Sequence, residues 1–186
     1  FFKQKTAYEI YQCDWSSDVC SSDLEQRDDL THGPSLWTAF GGSALRAEKT
    51  SVLLAAKPDA LSGAAWNFPS ADSGELTLRI VIPRGVTELR LALTDHFNRI
   101  DDTAAAAHAV FSIPVSVTVT EHAVRLRWQN AASPGGELEF FLGANLAARV
   151  AAQRPAQFGV NYLRIEFRAA DPNCAVAVAA LAMRGR

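Results

Sequence analysis

Between Ser51 and Arg186 the chain is written in twos. Leu76, Leu78, Ile80 and Ile82 share one face of Glu75–Ile82, with Thr77 and Arg79 opposite, and Leu89, Leu91 and Leu93 alternate with Arg90, Ala92 and Thr94. The same rhythm returns in Val124, Leu126 and Trp128, in Leu138, Phe140 and Leu142, and in Leu163, Ile165 and Phe167. A period of two puts successive side chains on opposite faces of a strand, so each run predicts a strand with one buried face. Pro83-Arg84-Gly85 separates two runs and predicts a hairpin there, and Gly143-Ala144-Asn145 predicts another. Leu146–Gln153 is compatible with a short helix, but the preceding Gly and Asn favour the second arm of that hairpin. Val110–Thr120 is β-branched and interrupted by Pro114, which marks a bulge or a sheet edge. Cys174–Met183, an Ala/Val run, reads as a strand buried on both faces or a short helix. Many short strands with one apolar face each predict an all-β fold, a two-sheet antiparallel β-sandwich. The sustained 3.6-residue period of a bundle and the crossover helices of a parallel sheet are both missing.

The first 24 residues follow different rules. Lys3-Gln4-Lys5-Thr6-Ala7-Tyr8-Glu9 and Asp14 through Leu24 are what two common sequencing-library adapter strings encode, in one frame and in order. The bases between the two strings have the length of a sample index. Residues 1–24 are therefore read as a non-native N-terminal extension and set aside from fold reasoning. The expectation is that Tyr8, Tyr11 and Trp15 make few long-range contacts and that Cys13 and Cys20 are not bridged. Residues 25–50, with Gly33-Pro34 and Gly41-Gly42, read as an irregular lead-in or linker, and 51–186 as the sandwich domain. The true beginning of the natural chain is expected to lie upstream of Glu25.

Composition changes the picture only slightly. The chain has 186 residues, 48% hydrophobic and 20% charged, with a formal net charge of -2. Setting residues 1–24 aside removes two lysines and four acids and leaves the remainder neutral. A neutral chain offers no electrostatic footprint for nucleic acid. No stretch approaches the roughly 18 apolar residues of a membrane-spanning helix. Of three cysteines only Cys174 remains outside the extension, so neither a disulfide framework nor a Cys-rich metal site is expected.

Candidate chemistry gathers in Thr94-Asp95-His96-Phe97-Asn98-Arg99-Ile100-Asp101-Asp102-Thr103, which follows a well-patterned strand and so lies in a loop at a sandwich end. Asp95, Asp101 and Asp102, with Asn98, offer hard oxygens suited to a structural Ca²⁺. The competing reading is an Asx-turn loop whose carboxylates accept from backbone N–H groups and pair with Arg99. A third is direct sugar contact through Asp95, His96, Asn98, Arg99 and Asp101. Asp95 and Asp101 are also the acids from which a glycosidase pair would have to be drawn, though nothing in their loop shields either from water. His32, His96, His108 and His122 show no zinc spacing. No catalytic nucleophile elbow or phosphate loop occurs. Ser70-Ala71-Asp72-Ser73-Gly74 matches the first half of an S-x-D-x-G folding hairpin, and reads as a turn into a strand. Trp66 and Trp128 alternate with apolar neighbours and are expected in the core; Trp37 is the expected exposed aromatic. Arg125, Arg127, Arg164 and Arg168 are expected on outer faces, matched across strands by Glu137, Glu139 and Glu166.

Taken in order, His122-Ala123-Val124-Arg125-Leu126-Arg127-Trp128, then Gly136 through Asn145, then Gly159-Val160-Asn161-Tyr162-Leu163-Arg164-Ile165, resemble the late strands of a concanavalin A-like or laminin-G-like jelly roll. Gly143-Ala144-Asn145 stands where that family commonly has Asp-Gly. Trp66-Asn67-Phe68-Pro69 and Thr94-Asp95-His96-Phe97 resemble the front half of such modules, where they are appended to bacterial sialidase-like and other glycoside hydrolases. The resemblance covers about residues 60–183. It implies a non-catalytic accessory module of a carbohydrate-active enzyme, partnered by an upstream catalytic domain and in contact with glycan, in a secreted or periplasmic setting. The alternatives are a glycoside hydrolase fragment with a carboxylate-based site, or a purely structural interdomain or adhesion module. No cofactor beyond the candidate Ca²⁺ is implied.

Overall fold

The computed structural model describes residues 24–28, 33–57, 60–103, 107–171 and 173–186. The expectations for Tyr8, Tyr11, Cys13, Trp15 and Cys20 lie outside the described residues, as does His32. Among the described residues there are thirteen strands and no helix. In chain order they are β1 (Leu24–Arg27), β2 (Trp37–Phe40), β3 (Ala44–Ala47), β4 (Ser51–Ala55), β5 (Ser62–Ala71), β6 (Gly74–Ile82), β7 (Val86–Thr94), β8 (Ala109–Ser112), β9 (Thr120–Gln129), β10 (Glu137–Leu142), β11 (Asn145–Ala151), β12 (Val160–Ala169) and β13 (Ala175–Gly185).

Two antiparallel sheets form. The larger runs β11-β10-β9-β6-β13-β4-β3, with β1 also paired to β13, and the smaller runs β2-β5-β12-β7-β8. β13 presents one edge to two partners in turn. Its first half pairs with β4 through Ala175–Ala179, and its second half with β1 through Ala182–Gly185. The ladder to β6 shifts register between Ala179 and Ala182, where Ala180 takes φ 51°. A bulge of this kind bends the strand. The core lies between the sheets and is made by the alternating residues: Leu76, Leu78, Ile80 and Ile82 of β6, and Leu163, Ile165 and Phe167 of β12, are almost wholly buried. The fold is thus the expected all-β sandwich.

Several expectations are corrected. The runs flanking Pro83-Arg84-Gly85 are strands but not a hairpin. β6 pairs with β13 and β9 in the larger sheet, whereas β7 pairs with β12 and β8 in the smaller one. The three residues form a corner that carries the chain across the sandwich, with Gly85 at φ 96°. Alternation reveals which face of a strand is buried; it does not reveal which of two sheets, facing one core, receives it. The lead-in is more regular than read: β1, β2 and β3 fall within it. Each is only four residues long, too short to show a period, and each is recruited by the longer ladder beside it. Leu24, the last residue read as adapter-derived, pairs with Gly185. Trp37 is buried rather than exposed. It stands opposite Trp66 on β5, and its indole N–H donates to Asp28 Oδ2. The remaining ambiguities resolve as strands: Gly143-Ala144 turns β10 into β11, and the Ala/Val run is β13. β8 stops before Pro114, at the edge of the smaller sheet.

Candidate functional site: an aromatic platform at one end of the sandwich

The ends of β5, β7, β9 and β11 and the starts of β6, β10 and β12 lie together. Val160 pairs with Ala71, Tyr162 with Thr94, Gly74 with Trp128, and Glu137 with both Gln129 and Ala151. Four connections therefore converge at this end. Ser70-Ala71-Asp72-Ser73-Gly74 fastens them. Asp72 Oδ1 accepts from the Ala132 N–H at 2.7 Å, and the Asp72 carbonyl from the Ala131 N–H at 2.8 Å. Ser73 Oγ accepts from the Asn130 N–H at 3.2 Å, and Ser70 Oγ donates to the Phe158 carbonyl at 2.6 Å. The motif is a folding device that ties loops 130–132 and 158–159 to the corner between the sheets. Gly159 is required there: its φ is 87°, and a Cβ would sit 2.4 Å from the Ala71 carbonyl carbon.

The loop after β7 splits its charges. Asp95 is buried; its Oδ1 accepts from the Phe97 N–H at 3.1 Å and from Arg154 Nη2 at 2.7 Å. This is an Asx-turn with a cation added. Asn98 is half-buried and donates from Nδ2 to Thr94 Oγ1 at 2.7 Å. Arg99 and Asp101 form an exposed two-point pair at 3.0 and 2.8 Å. The hydrogen bonds from Arg99 hold the Asp101 carboxyl below its ordinary range, and those same bonds push Arg99 up. Asp102 is exposed, and its carbonyl accepts from Arg164 Nη1 at 2.9 Å.

The candidate residues therefore part company. Asp95 and Asn98 build the turn, and Arg99 and Asp101 neutralise each other. His96 alone among the five predicted ligand contacts joins a new group. It lies 4.1 Å from the Phe97 ring centroid and 6.2 Å from that of Phe158, while Phe97 and Phe158 are 5.6 Å apart. Phe97 and Phe158 are 60% and 59% exposed, so three rings from two loops form a solvent-facing platform. Phe158 and Arg154 were missed because they lie far along the chain from the Asp95 loop. The only local signal was an aromatic set between Gln157 and Gly159, outside any alternating run.

The calcium reading does not fit this geometry. Among the described residues no three His, Cys, Asp or Glu side chains converge on a common point. Asp95 turns inward to Arg154 of the loop before β12, and Asp101 turns outward to Arg99 of its own loop. The same placement gives no facing pair of carboxylates in this loop for glycoside hydrolysis.

Arg164 is a further correction. By parity it stands on the outer face of β12, as expected, yet its side chain is only 2% exposed. It meets Glu166, equally buried, at 2.5 Å; Arg90 reaches the other Glu166 oxygen at 3.1 Å. The loop carrying Asp102 reaches over this face, so the pair is enclosed.

No family model matches the chain, and no curated protein matches it. Solved structures do. A sialidase superposes with TM-score 0.63 at 7% identity over 87% of this chain, which spans only 18% of that enzyme. An alginate lyase bound to an alginate trisaccharide superposes with TM-score 0.55 at 8% identity, over 88% of this chain and 98% of its own. The metal-free carbohydrate-recognition domain of Emp46p gives 0.54 at 10% identity, over 85% and 91%. That domain is also known in a potassium-bound form. Among the described residues no helix is long and apolar enough to cross a membrane. The two sheets, their antiparallel order and these superpositions together show that the chain has the concanavalin A-like jelly-roll fold.

Proposed function

We propose that the chain is a non-catalytic accessory module of a larger carbohydrate-active protein, and that it contacts glycan through the platform of His96, Phe97 and Phe158. The observation that carries this reading is the exposure of two phenylalanines on a braced loop end. Burial of an aromatic ring is strongly favourable, so exposed rings held in fixed geometry point to a contact surface. The C–H faces of pyranose rings suit such planes, and Arg99, Asn98 and His96 beside them supply polar contacts for hydroxyls. The sialidase and the Emp46p domain support the class: one is a glycoside-processing enzyme of which such a sandwich forms a small part, the other a carbohydrate-recognition domain. The absence of a facing carboxylate pair in the Asp95 loop favours an accessory role over a hydrolase fragment. The partner of this reading is a catalytic domain elsewhere in the parent protein, in a secreted or periplasmic setting.

A glycan array followed by calorimetry on the best binder tests it. The expected result is saturable binding that weakens roughly tenfold or more in Phe97→Ala/Phe158→Ala. Wild-type protein that binds no glycan, or a double variant that binds equally well, overturns the reading. A second reading has its own observation. Val115, Val117 and Val119 are exposed at the opposite end, beside a shallow apolar depression lined by Val86 and Thr87. That surface favours a structural interdomain module.

A further inference from the structure

The aromatic platform is small. The ring centroids of His96, Phe97 and Phe158 make a triangle with sides of 4.1, 5.6 and 6.2 Å. A pyranose ring is about as wide as a phenyl ring, so a sugar and its neighbour cover the whole triangle. His96 is exposed, and its ring contacts are its only contacts of record among the described residues. A neutral imidazole has one donor and one acceptor nitrogen, which suits a hydroxyl group.

The surroundings of the rings lean acidic. The four connections that converge at this end, 72–73, 95–108, 130–136 and 152–159, contain Asp72, Asp95, Asp101 and Asp102 but only the arginines Arg99 and Arg154. Arg186 reaches the same end through backbone bonds to Ser73, and acids still outnumber bases. Both loop arginines are engaged. Arg99 donates from Nε and Nη2 to the two oxygens of Asp101, at 3.0 and 2.8 Å, and Asp102 adds to the negative field on it. Arg154 donates from Nη2 to the buried Asp95. An anion brought to the rings therefore meets carboxylates, and cations that already have them.

We propose, building on the reading of this platform as a glycan surface, that it takes a short stretch of uncharged glycan, one sugar ring and its neighbour, and discriminates against uronic and sialic acids. The apolar face of the sugar lies on Phe97 and Phe158, and the His96 ring nitrogens exchange hydrogen bonds with its hydroxyls. A carboxylate on the same sugar would have to displace Asp101 from Arg99 before gaining a guanidinium partner, and would do so beside Asp102. The groups that discriminate are exposed, so the preference is a few-fold and shrinks as salt screens it. Sugars further along the chain lie beyond the rings, so affinity levels off at the disaccharide.

The test is a glycan array probed with the 186-residue chain, carrying matched uncharged and carboxylated probes: galactobiose and digalacturonate, mannobiose and dimannuronate, and N-acetyllactosamine without and with sialic acid. The hexasaccharide of each uncharged series is printed beside them, and dissociation constants are measured for every pair that binds. The expected result is an uncharged member bound roughly threefold to fivefold more tightly than its carboxylated partner in low salt, with the ratio narrowing as salt is added. The hexasaccharide should bind no more than about twofold more tightly than its disaccharide. In Asp101→Asn/Asp102→Asn, which releases Arg99, the ratio should fall to about one or invert. A carboxylated member bound as well as its uncharged partner, a ratio unmoved in the double variant, or affinity that keeps rising with length overturns this inference and leaves the platform reading in place. Binding of no probe overturns the platform reading, and this inference with it.

Discussion

Asp95 Oδ1 and Arg154 Nη2 meet at 2.7 Å, joining the loop after β7 to the loop before β12 at the foot of the aromatic platform. The Asp95 side chain is 2% exposed and that of Arg154 27%. Breaking a buried pair by removing one partner costs about 3–5 kcal/mol, and the partial exposure of Arg154 lowers this to about 2–3 kcal/mol. Asp95→Ala should therefore lower the urea midpoint and also splay the two phenylalanine loops. A midpoint within error of wild type shows the pair to be dispensable.

Glu166 is shared by two arginines on a covered face. Glu166→Gln leaves the Arg164 charge enclosed without its counter-ion, an expected loss of about 3–5 kcal/mol. Replacing both Arg164 and Glu166 by apolar residues of similar size should recover most of that loss. Comparison of the three denaturation curves decides whether burial of unpaired charge is the cause.

Gly159 adopts a conformation that L side chains avoid, against the Ala71 backbone. Gly159→Ala should cost more than about 1 kcal/mol. It should also weaken the Ser70–Phe158 hydrogen bond, since the two contacts share one corner. A melting temperature equal to or above wild type contradicts this.

His108 is buried; its Nδ1 lies 2.6 Å from the Arg154 carbonyl, and its Nε2 has no partner. Burial holds its pKa below the ordinary value of 6.5, prevailing over that hydrogen bond and the nearby Asp95 and Asp72, which favour the cation. The unfolded chain therefore takes up the proton first as pH falls. The associated stability is fully present above about pH 6.5 and is lost progressively below it. Unfolding free energies measured from pH 7.5 downward should decline more steeply for wild type than for His108→Gln, and parallel curves refute the assignment.

Strand positions were legible because alternation is local: Leu76–Ile82 or Leu163–Phe167 can satisfy one buried face in only one way. The pairings were not. The corner at Pro83-Arg84-Gly85 looks the same in sequence whether it closes a hairpin or crosses to the second sheet. The Asp95 loop was recognisable as polar and sandwich-terminal, and its Asx-turn and Arg99–Asp101 pair follow from neighbours two to four residues apart. The third ring of its surface, Phe158, comes from a loop some sixty positions later, and no local pattern marks it as the partner of His96 and Phe97.

By itself, the sequence determined that the chain is a β-sandwich and which faces of its strands are apolar. Those properties depend on period and composition, which are carried by adjacent residues. Only the tertiary structure decided that Asp95 is a buried strut and that Arg164 is enclosed. It alone brought Phe158 beside His96 and Phe97. Each depends on strand order and register, set by long-range hydrogen-bonded ladders that bring together residues far apart in the chain.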